Sequence, residues 1–156
     1  MPATDEPPAY SLRPADGRDA SKVAELVDDA YGHYVERIGI LPGPMTEDYA
    51  DVIRTRRVTV AESEGELVGV LVLGVTDEGF CIDSVAVDPS RQGTGLGRAL
   101  LELAEAEARR AGFDSIYLFT HEKLAENLAL YARIGYVEYD RRSPGDFSLV
   151  FMRKQL

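Results

Sequence analysis

Apolar residues recur every three or four positions in two long stretches of the chain, which predicts two amphipathic helices. The first stretch follows Asp19, which we expect to cap the helix, and the second ends at Gly112. The apolar face of the first helix carries Val23, Leu26, Val27, Ala30, Tyr31 and Tyr34. That of the second carries Leu96, Leu100, Leu103, Ala104 and Ala108. Shorter helices are predicted over 46–53 and 122–134, the latter ending at Gly135.

Segments rich in Val, Leu and Ile lie between these helices and predict β-strands. The strands are expected at 10–13, 58–62, 67–75, 80–87, 115–120, 136–140 and 147–153. Two of them flank the second long helix, and a strand-helix-strand crossover normally gives two parallel neighbours. We therefore predict a single α/β domain. Its central sheet is mixed and mostly antiparallel, with one parallel pair, and about four helices flank it.

Three glycines, Gly93, Gly95 and Gly97, stand directly before the second long helix. Glycine has no Cβ, so backbone N–H groups can converge there at the positive end of the helix dipole. This arrangement predicts an anion-binding cradle. Arg91 and Arg98 can add positive charge to it, which favours a diphosphate over a single carboxylate.

Two other nucleotide-binding motifs do not fit this segment. A Walker loop ends in Gly-Lys-Ser/Thr, whereas Leu96-Gly97-Arg98 stands here, so a P-loop is excluded. A dinucleotide fingerprint is spaced G-x-G-x-x-G and is followed by a strand that ends in an acidic residue. Here the spacing is G-x-G-x-G, and the next strand ends in Phe119-Thr120.

The segment Gln92-Gly93-Thr94-Gly95-Leu96-Gly97 resembles the Q/R-x-x-G-x-G/A motif of the GNAT superfamily of N-acetyltransferases. The later segment Leu130–Tyr136 resembles their second signature, a helix with a tyrosine four residues before a Gly-aromatic pair. The spacing of the two motifs and the order of elements agree over residues 10–154. The chain is therefore identified as resembling this superfamily.

The resemblance implies acetyl-CoA as co-substrate. The backbone of the strand at Val85–Val87 would bond to the pantetheine arm, and the glycine turn would hold the pyrophosphate. The strand at Ser115–Thr120 would splay away from its parallel neighbour to admit the cofactor. Tyr131 would lie near the thioester sulfur, where a phenol can donate a proton or a hydrogen bond to the departing thiolate. The implied cofactor-binding residues are Val85, Ala86, Val87, Gln92, Gly93, Thr94, Gly95, Leu96, Gly97, Arg98, Asn127 and Tyr131.

One departure from the family pattern concerns the pantetheine contact. Many members carry an asparagine seven residues before the tyrosine, where this chain has Leu124. Asn127 lies four residues before Tyr131, and the two therefore share a helical face. The role is carried over to Asn127, with the alternative that it is an ordinary helix-surface residue.

Acetylation of an amine needs a neutral nucleophile, although an alkylamine has a pKa of about 10.4. A carboxylate can accept the proton directly or through water. Asp83 is the first candidate because it stands in an apolar strand, where its pKa can rise; it could also merely pair with an arginine. Glu62 is the second candidate.

The segment that ends the first helix corresponds to the region that shapes the acceptor pocket in GNAT enzymes. Tyr31, Tyr34 and Glu36 are therefore candidate acceptor-binding residues, together with Glu62. The same segment could equally be a helix end that covers the sheet.

Charge and composition narrow the function classes. The 156 residues include 27 acidic and 17 basic side chains, a net charge of -10, which argues against nucleic-acid and anionic-membrane binding. Residues 1–90 carry 18 acids and 7 bases, net -11, and residues 91–156 carry 9 acids and 10 bases, net +1. Residues 91–156, which contain the anion cradle, lack the acidic bias, and residues 1–90, which shape the acceptor side, carry all of it; this predicts a cationic acceptor.

Other features favour a cytoplasmic enzyme without a metal. The single cysteine, Cys81, cannot form an internal disulfide, and the longest apolar run is too short to span a membrane. His33 and His121 lack matched acidic spacing and predict no metal site.

We predict a flexible N-terminus over 1–9 and an N-acetyltransferase domain over 10–156. The expected reaction is direct attack of a small cationic amine on acetyl-CoA in a ternary complex. The open alternatives are acetylation of a protein N-terminus or lysine, and a non-catalytic acyl-CoA-binding module. A homodimer is compatible with the sequence.

Overall fold

A seven-stranded sheet organises the described part of the chain, residues 10–156 of a computed structural model. The predicted flexible segment 1–9 lies outside the described residues. The strands are β1 (Ser11–Pro14), β2 (Arg57–Ser63), β3 (Glu66–Thr76), β4 (Gly79–Val87), β5 (Ser115–His121), β6 (Val137–Arg142) and β7 (Leu149–Gln155). Their order is β1-β2-β3-β4-β5-β7-β6, and only β4 and β5 pair in parallel. The predicted mixed sheet with one parallel pair is confirmed.

Helices cover both faces of this sheet. They are α1 (Ala20–Tyr31), the one-turn α2 (Val35–Ile38), α3 (Tyr49–Thr55), α4 (Leu96–Arg110) and α5 (Ala125–Arg133). Val70 and Val72 of β3 pack in one core cluster with α1 and α3, while Leu71 and Leu73 pack in another with α4. This two-sided burial is why β3 has an almost continuous apolar sequence. No helix in the described part of the chain is long and apolar enough to span a membrane.

The beginning of α1 differs from the prediction. Asp19 stands at its N-cap position, but its carboxylate makes no capping bond to the helix. It instead accepts hydrogen bonds from both terminal nitrogens of Arg13, at 2.8 and 2.9 Å, and from the amide of Asp16 at 2.9 Å. Arg13 thereby holds the pKa of Asp19 down at about 2. This ion pair connects β1 to the start of α1, a role that helix spacing alone does not reveal.

Other helix boundaries move by a few residues. A 3-10 turn at Gly43–Thr46 precedes α3, which starts at Tyr49 because Asp48 accepts a hydrogen bond from the amide of Ala50 at 3.1 Å. The first helix gives way to a 3-10 turn at Gly32–Tyr34. The last helix starts at Ala125 rather than at Glu122.

The parallel pair separates partway along its length. β4 and β5 are in register only at Phe80–Ile82 and Ile116–Leu118. Beyond this point β4 continues beside β3, and β5 continues beside β7. Ser84 pairs with Val72 and Ile82 with Leu73, which leaves Asp83 as an extra, bulged residue in β4. The sheet therefore opens between β4 and β5 from Asp83 onward.

Gly69 on β3 provides a test of how closely α4 packs on the sheet. A Cβ at Gly69 would lie 3.2 Å from methyl groups of Leu96 and Leu100, and 3.3 Å from the Cβ of Ala61. We expect Gly69→Ala to lower the free energy of unfolding by about 1–3 kcal/mol through overpacking. Gly74→Ala on the same strand is the control, because its nearest contact, 3.8 Å from Asp83, is an ordinary one. Urea denaturation of both variants measures the difference, and equal stabilities would contradict the close packing.

Candidate active site

The glycine turn before α4 forms an open N-terminal helix end. Gly93 and Gly95 have φ values of 80° and 90°, a left-handed conformation that favours glycine. Gly95, at the N-cap position of α4, makes no side-chain capping bond, and the amide of Ala99 donates to the carbonyl of Gly95 at 3.0 Å. The amides of Leu96, Gly97 and Arg98 therefore have no partner within the helix. Free amides at the positive end of a helix can bind an anion such as a diphosphate.

Side chains of the glycine turn stabilise it through hydrogen bonds. Thr94 donates to the carbonyl of Arg91 at 2.5 Å, and the Arg91 guanidinium donates to Ser63 Oγ on β2 at 3.0 Å. Arg91 thus anchors the turn to the sheet and is directed at β2. Leu96 is buried in the core and can contribute only its backbone to the cradle. Arg98 is exposed and lines the adjacent groove.

A long groove of about 1110 Å³ runs from the glycine turn along β4 to α5. It brings together most of the predicted cofactor-binding residues, namely Val85, Ala86, Val87, Gln92, Gly93, Gly95, Gly97, Arg98, Asn127 and Tyr131. Two basic residues not predicted from the sequence, Arg133 and Lys154, also line it. Lys154 lies 2.9 Å from Glu105, a mostly buried pair that joins β7 to α4.

A small chamber of about 170 Å³ adjoins this groove. Its walls come from the separated ends of β4 and β5, from the turn at Pro42–Pro44 after α2, and from Phe147 and Leu149 before and in β7. The long groove and the small chamber share four residues, Tyr31, Val85, Asn127 and Tyr131. The two cavities therefore meet at the opening of the sheet.

Tyr131 stands where the two cavities meet. Its side chain is buried, and its ring packs edge-on against that of Tyr136 with centroids 5.8 Å apart. Burial raises the pKa of Tyr131 to about 12, so its hydroxyl remains protonated at neutral pH. A protonated phenol at this position can donate to a group that becomes negatively charged.

Tyr31 and Tyr34 approach the same junction from α1 and the turn after it. The hydroxyl of Tyr31 donates to the carbonyl of Val85 at 2.9 Å, and burial raises the pKa of this phenol above its ordinary range. The Tyr34 ring lies 6.0 Å from that of Tyr31 and lines the long groove. Beside it, Arg37 makes contacts of 2.5 and 2.7 Å with the carboxylate of Glu126, which ties α2 to α5.

Asp83, at the bulge of β4, lines the small chamber and also a further cavity of about 90 Å³. Its Oδ2 lies 2.7 Å from Nη1 of Arg56, which also lies 3.6 Å from Glu47. Burial raises the pKa of Asp83, and the Arg56 cation opposes that rise. Asp83 therefore both pairs with an arginine and faces a cavity in which a carboxylate can accept a proton.

Two predicted acceptor residues are not brought to this junction. Glu62 ends β2 with Oε2 3.5 Å from Nε of Arg13, away from the residues that line the groove and the chamber. Glu36 is exposed in α2 and likewise lines neither cavity.

His121, the last residue of β5, also lines the chamber, a placement that was not predicted from the sequence. It is buried, and its Nδ1 accepts a hydrogen bond from the amide of Lys123 at 3.1 Å, so the proton of the neutral ring lies on Nε2. Burial lowers the pKa of His121 and favours this neutral form. Within residues 10–156, no group of three or more His, Cys, Asp or Glu residues is arranged to hold a metal ion.

Comparisons with known proteins agree with this geometry. A family model described as the acetyltransferase (GNAT) family matches residues 22–136. The IAA acetyltransferase of Azospirillum brasilense is 34% identical over 105 residues, which cover 64% of this chain and 68% of that protein.

Two solved structures are similar over nearly the whole chain. The PaiA N-acetyltransferase of Thermoplasma acidophilum, solved with coenzyme A, superposes with a TM-score of 0.78 at 16% identity, covering 94% of this chain and 99% of that one. The protein yncA of Salmonella typhimurium, solved with acetyl-CoA, has a TM-score of 0.69 at 26% identity, covering 95% and 94%. The separated strand pair, the glycine turn before α4 and the family match over 22–136 lead to one conclusion: this chain belongs to the acetyltransferase (GNAT) family.

Proposed function

We propose that this protein transfers the acetyl group of acetyl-CoA to the primary amine of a small cationic molecule by direct attack in a ternary complex. One observation carries the proposal: the long groove and the small chamber have largely different walls and meet at Tyr31, Val85, Asn127 and Tyr131. Such an arrangement lets two substrates approach each other from separate cavities.

The long groove has the chemistry that acetyl-CoA requires. The free amides of the glycine turn suit its diphosphate, and Arg133 is a basic residue of the groove lining. Arg98 and Lys154 also line the groove, where Glu102 and Glu105 pair with them. Beyond Ile82, the edge of β4 that faces β5 has no strand partner, so its backbone can bond to an extended amide chain such as pantetheine. The yncA structure, with acetyl-CoA bound, supports this assignment.

In the proposed reaction acetyl-CoA supplies an activated thioester carbonyl. The amine nitrogen forms a bond to that carbon, and the carbon–sulfur bond breaks. Asp83 accepts, directly or through a water molecule, the proton that the ammonium group loses to become a neutral amine, and the second proton leaves the nitrogen for water as the amide forms. The Tyr131 hydroxyl donates a proton to the departing thiolate sulfur, and water returns a proton to the phenol.

No acyl-enzyme step is part of this proposal. Cys81 is buried against Tyr117 and Phe151, and burial raises the pKa of its thiol to about 12. A protonated, enclosed thiol is a poor nucleophile.

The charges around Asp83 support a cationic acceptor. Asp83 and Glu47 contribute two carboxylates around the single guanidinium of Arg56. The excess negative charge favours an ammonium group over an anion.

Release of free CoA thiol from acetyl-CoA in the presence of primary amines tests the reaction itself. We expect thiol release that depends on the added amine. The amines tested should include polyamines, amino acids, aminoglycosides and peptides. We also expect Gly95→Ala to raise the KM for acetyl-CoA, because a side chain is strained at the Gly95 φ of 90°. No release with any amine would favour an acyl-CoA-binding module, and strong preference for a peptide would favour a protein N-terminus or lysine as acceptor.

Replacing Tyr131 by phenylalanine tests the proposed proton donor. We expect Tyr131→Phe to lower kcat by about tenfold to ten-thousandfold with little change in acetyl-CoA affinity, because only donation to the thiolate is removed. Tyr136→Phe is the matched control, since the Tyr136 hydroxyl is buried without a hydrogen-bond partner in the described residues. Steady-state kinetics of both variants provide the measurement. An unchanged kcat in Tyr131→Phe would remove this residue from the mechanism.

The pH dependence of the reaction tests Asp83 as the base. We expect Asp83→Asn to lower kcat/KM at pH 7 by about a hundredfold or more, because most of an alkylamine with pKa near 10.4 is then protonated. The loss should shrink as the pH approaches 10, where the amine is neutral without a base. Arg56→Gln should move the acidic limb of the wild-type profile to higher pH, since Arg56 opposes the rise in the pKa of Asp83. Parallel pH profiles for wild type and Asp83→Asn would contradict this role.

A further inference from the structure

The walls of the small chamber are mainly apolar. They include Ile38 and Pro44 from the segment around α2, Leu118 of β5 and Leu124 just before α5, and Phe147 and Leu149 near the start of β7. Leu118 and Leu124 are only 2% and 3% exposed, so these walls belong to the packed interior. A chamber of this kind favours an apolar guest, since contact with it removes apolar surface from water.

In the described part of the chain, one charged side chain lines the chamber. Asp83 is its only acidic or basic lining residue apart from the neutral His121, within the described part of the chain. Asp83 also lines a further cavity of about 90 Å³, where Arg56 and Glu47 lie beside it. The single ammonium group of a bound amine can therefore pair with Asp83. A second positive charge farther into the chamber would lose its hydration and would have no carboxylate to pair with.

The size of the chamber limits the guest as well. Its volume is about 170 Å³. An apolar protein cavity of about 150 Å³ is large enough to bind benzene. One ring or a short branched chain can be held here, but an aminoglycoside or a long polyamine cannot be enclosed.

We infer that the acceptor is a primary amine that carries one positive charge and one compact apolar substituent of about the size of a benzene ring. This inference rests on the proposed acetyl transfer and names its substrate class. The ammonium group lies at Asp83, and the substituent lies against Phe147, Leu149 and Leu124.

Rates with matched amines test this class. We expect kcat/KM for phenethylamine to exceed that for ethylamine by about a hundredfold or more, because each buried methylene is worth about tenfold or more in an apolar pocket. Pentylamine and putrescine are nearly isosteric, and pentylamine should be favoured because the second ammonium of putrescine has no partner in the chamber. Equal rates for phenethylamine and ethylamine, or a preference for putrescine, would overturn the inference.

A chamber variant links the preference to its walls. Phe147→Ala should reduce the ratio of kcat/KM for phenethylamine over ethylamine by about tenfold, because it removes an apolar wall. Tyr139→Ala is the control: this aromatic residue is 40% exposed on β6 and does not line the chamber, so the ratio should stay at the wild-type value. A ratio unchanged by Phe147→Ala would place the binding site elsewhere.

Failure of the proposed reaction would be distinguishable from failure of this inference. If no amine released thiol, the acetyl transfer would be refuted. Calorimetric titration of phenethylamine and ethylamine into the CoA-saturated protein would then test whether the chamber prefers an amine with an apolar substituent. Tighter binding of phenethylamine, weakened by Phe147→Ala, would uphold the chamber preference. Equal affinities would overturn it.

Discussion

The separation of β4 from β5 is the feature on which the rest of the site depends. Each strand keeps a full partner on its outer side, β3 for β4 and β7 for β5, so their divergence does not dissolve the sheet. The extra residue at Asp83 bends β4 where the parallel pairing ends. Backbone groups along the opening are left without strand partners, and buried groups of this kind require another hydrogen-bond partner. An opening in the middle of a sheet is thus a site that a ligand backbone can complete.

The glycine turn can act together with this opening because its position relative to β4 is fixed. The amide of Asp88, just beyond β4, donates to the carbonyl of Val68 at 2.9 Å, and Arg91 reaches Ser63 on β2. The helix that follows packs on the same strands through Leu96 and Leu100, close above Gly69. The amides of the turn and the free edge of β4 are therefore parts of one rigid unit. A ligand that spans both would meet a surface that is already organised.

Local patterns in the sequence were sufficient for the features that neighbouring residues determine. The parallel crossover, the glycine turn before α4 and the helix that carries Tyr131 were all predicted from short segments, and the fold was confirmed. Features that depend on contacts between distant segments were not predicted. Pairing of Asp83 with an arginine was an open alternative, but its identity as Arg56, just after α3, was not predicted. The chamber takes walls from segments as far apart as Pro44 and Phe147. Apolar periodicity also could not show that Asp19 would pair with Arg13 and make no capping bond to α1.

Asp83 shows how opposing electrostatic effects can shape a reaction chamber. Apolar walls disfavour its charged form, and the Arg56 guanidinium favours that form, so the carboxylate is neither isolated nor fully neutralised. The carboxylate of Glu47 also pairs with this guanidinium and offsets part of its positive charge. Because these two effects oppose each other, the Asp83 carboxylate can attract an ammonium group and can then accept its proton. The first step needs a negative charge, and the second needs a carboxyl pKa that is not strongly lowered. The same apolar walls strengthen this interaction because they keep water from screening it. Under the proposed function, the charge that would bind the amine and the apolar surface that would bind its substituent are therefore interdependent.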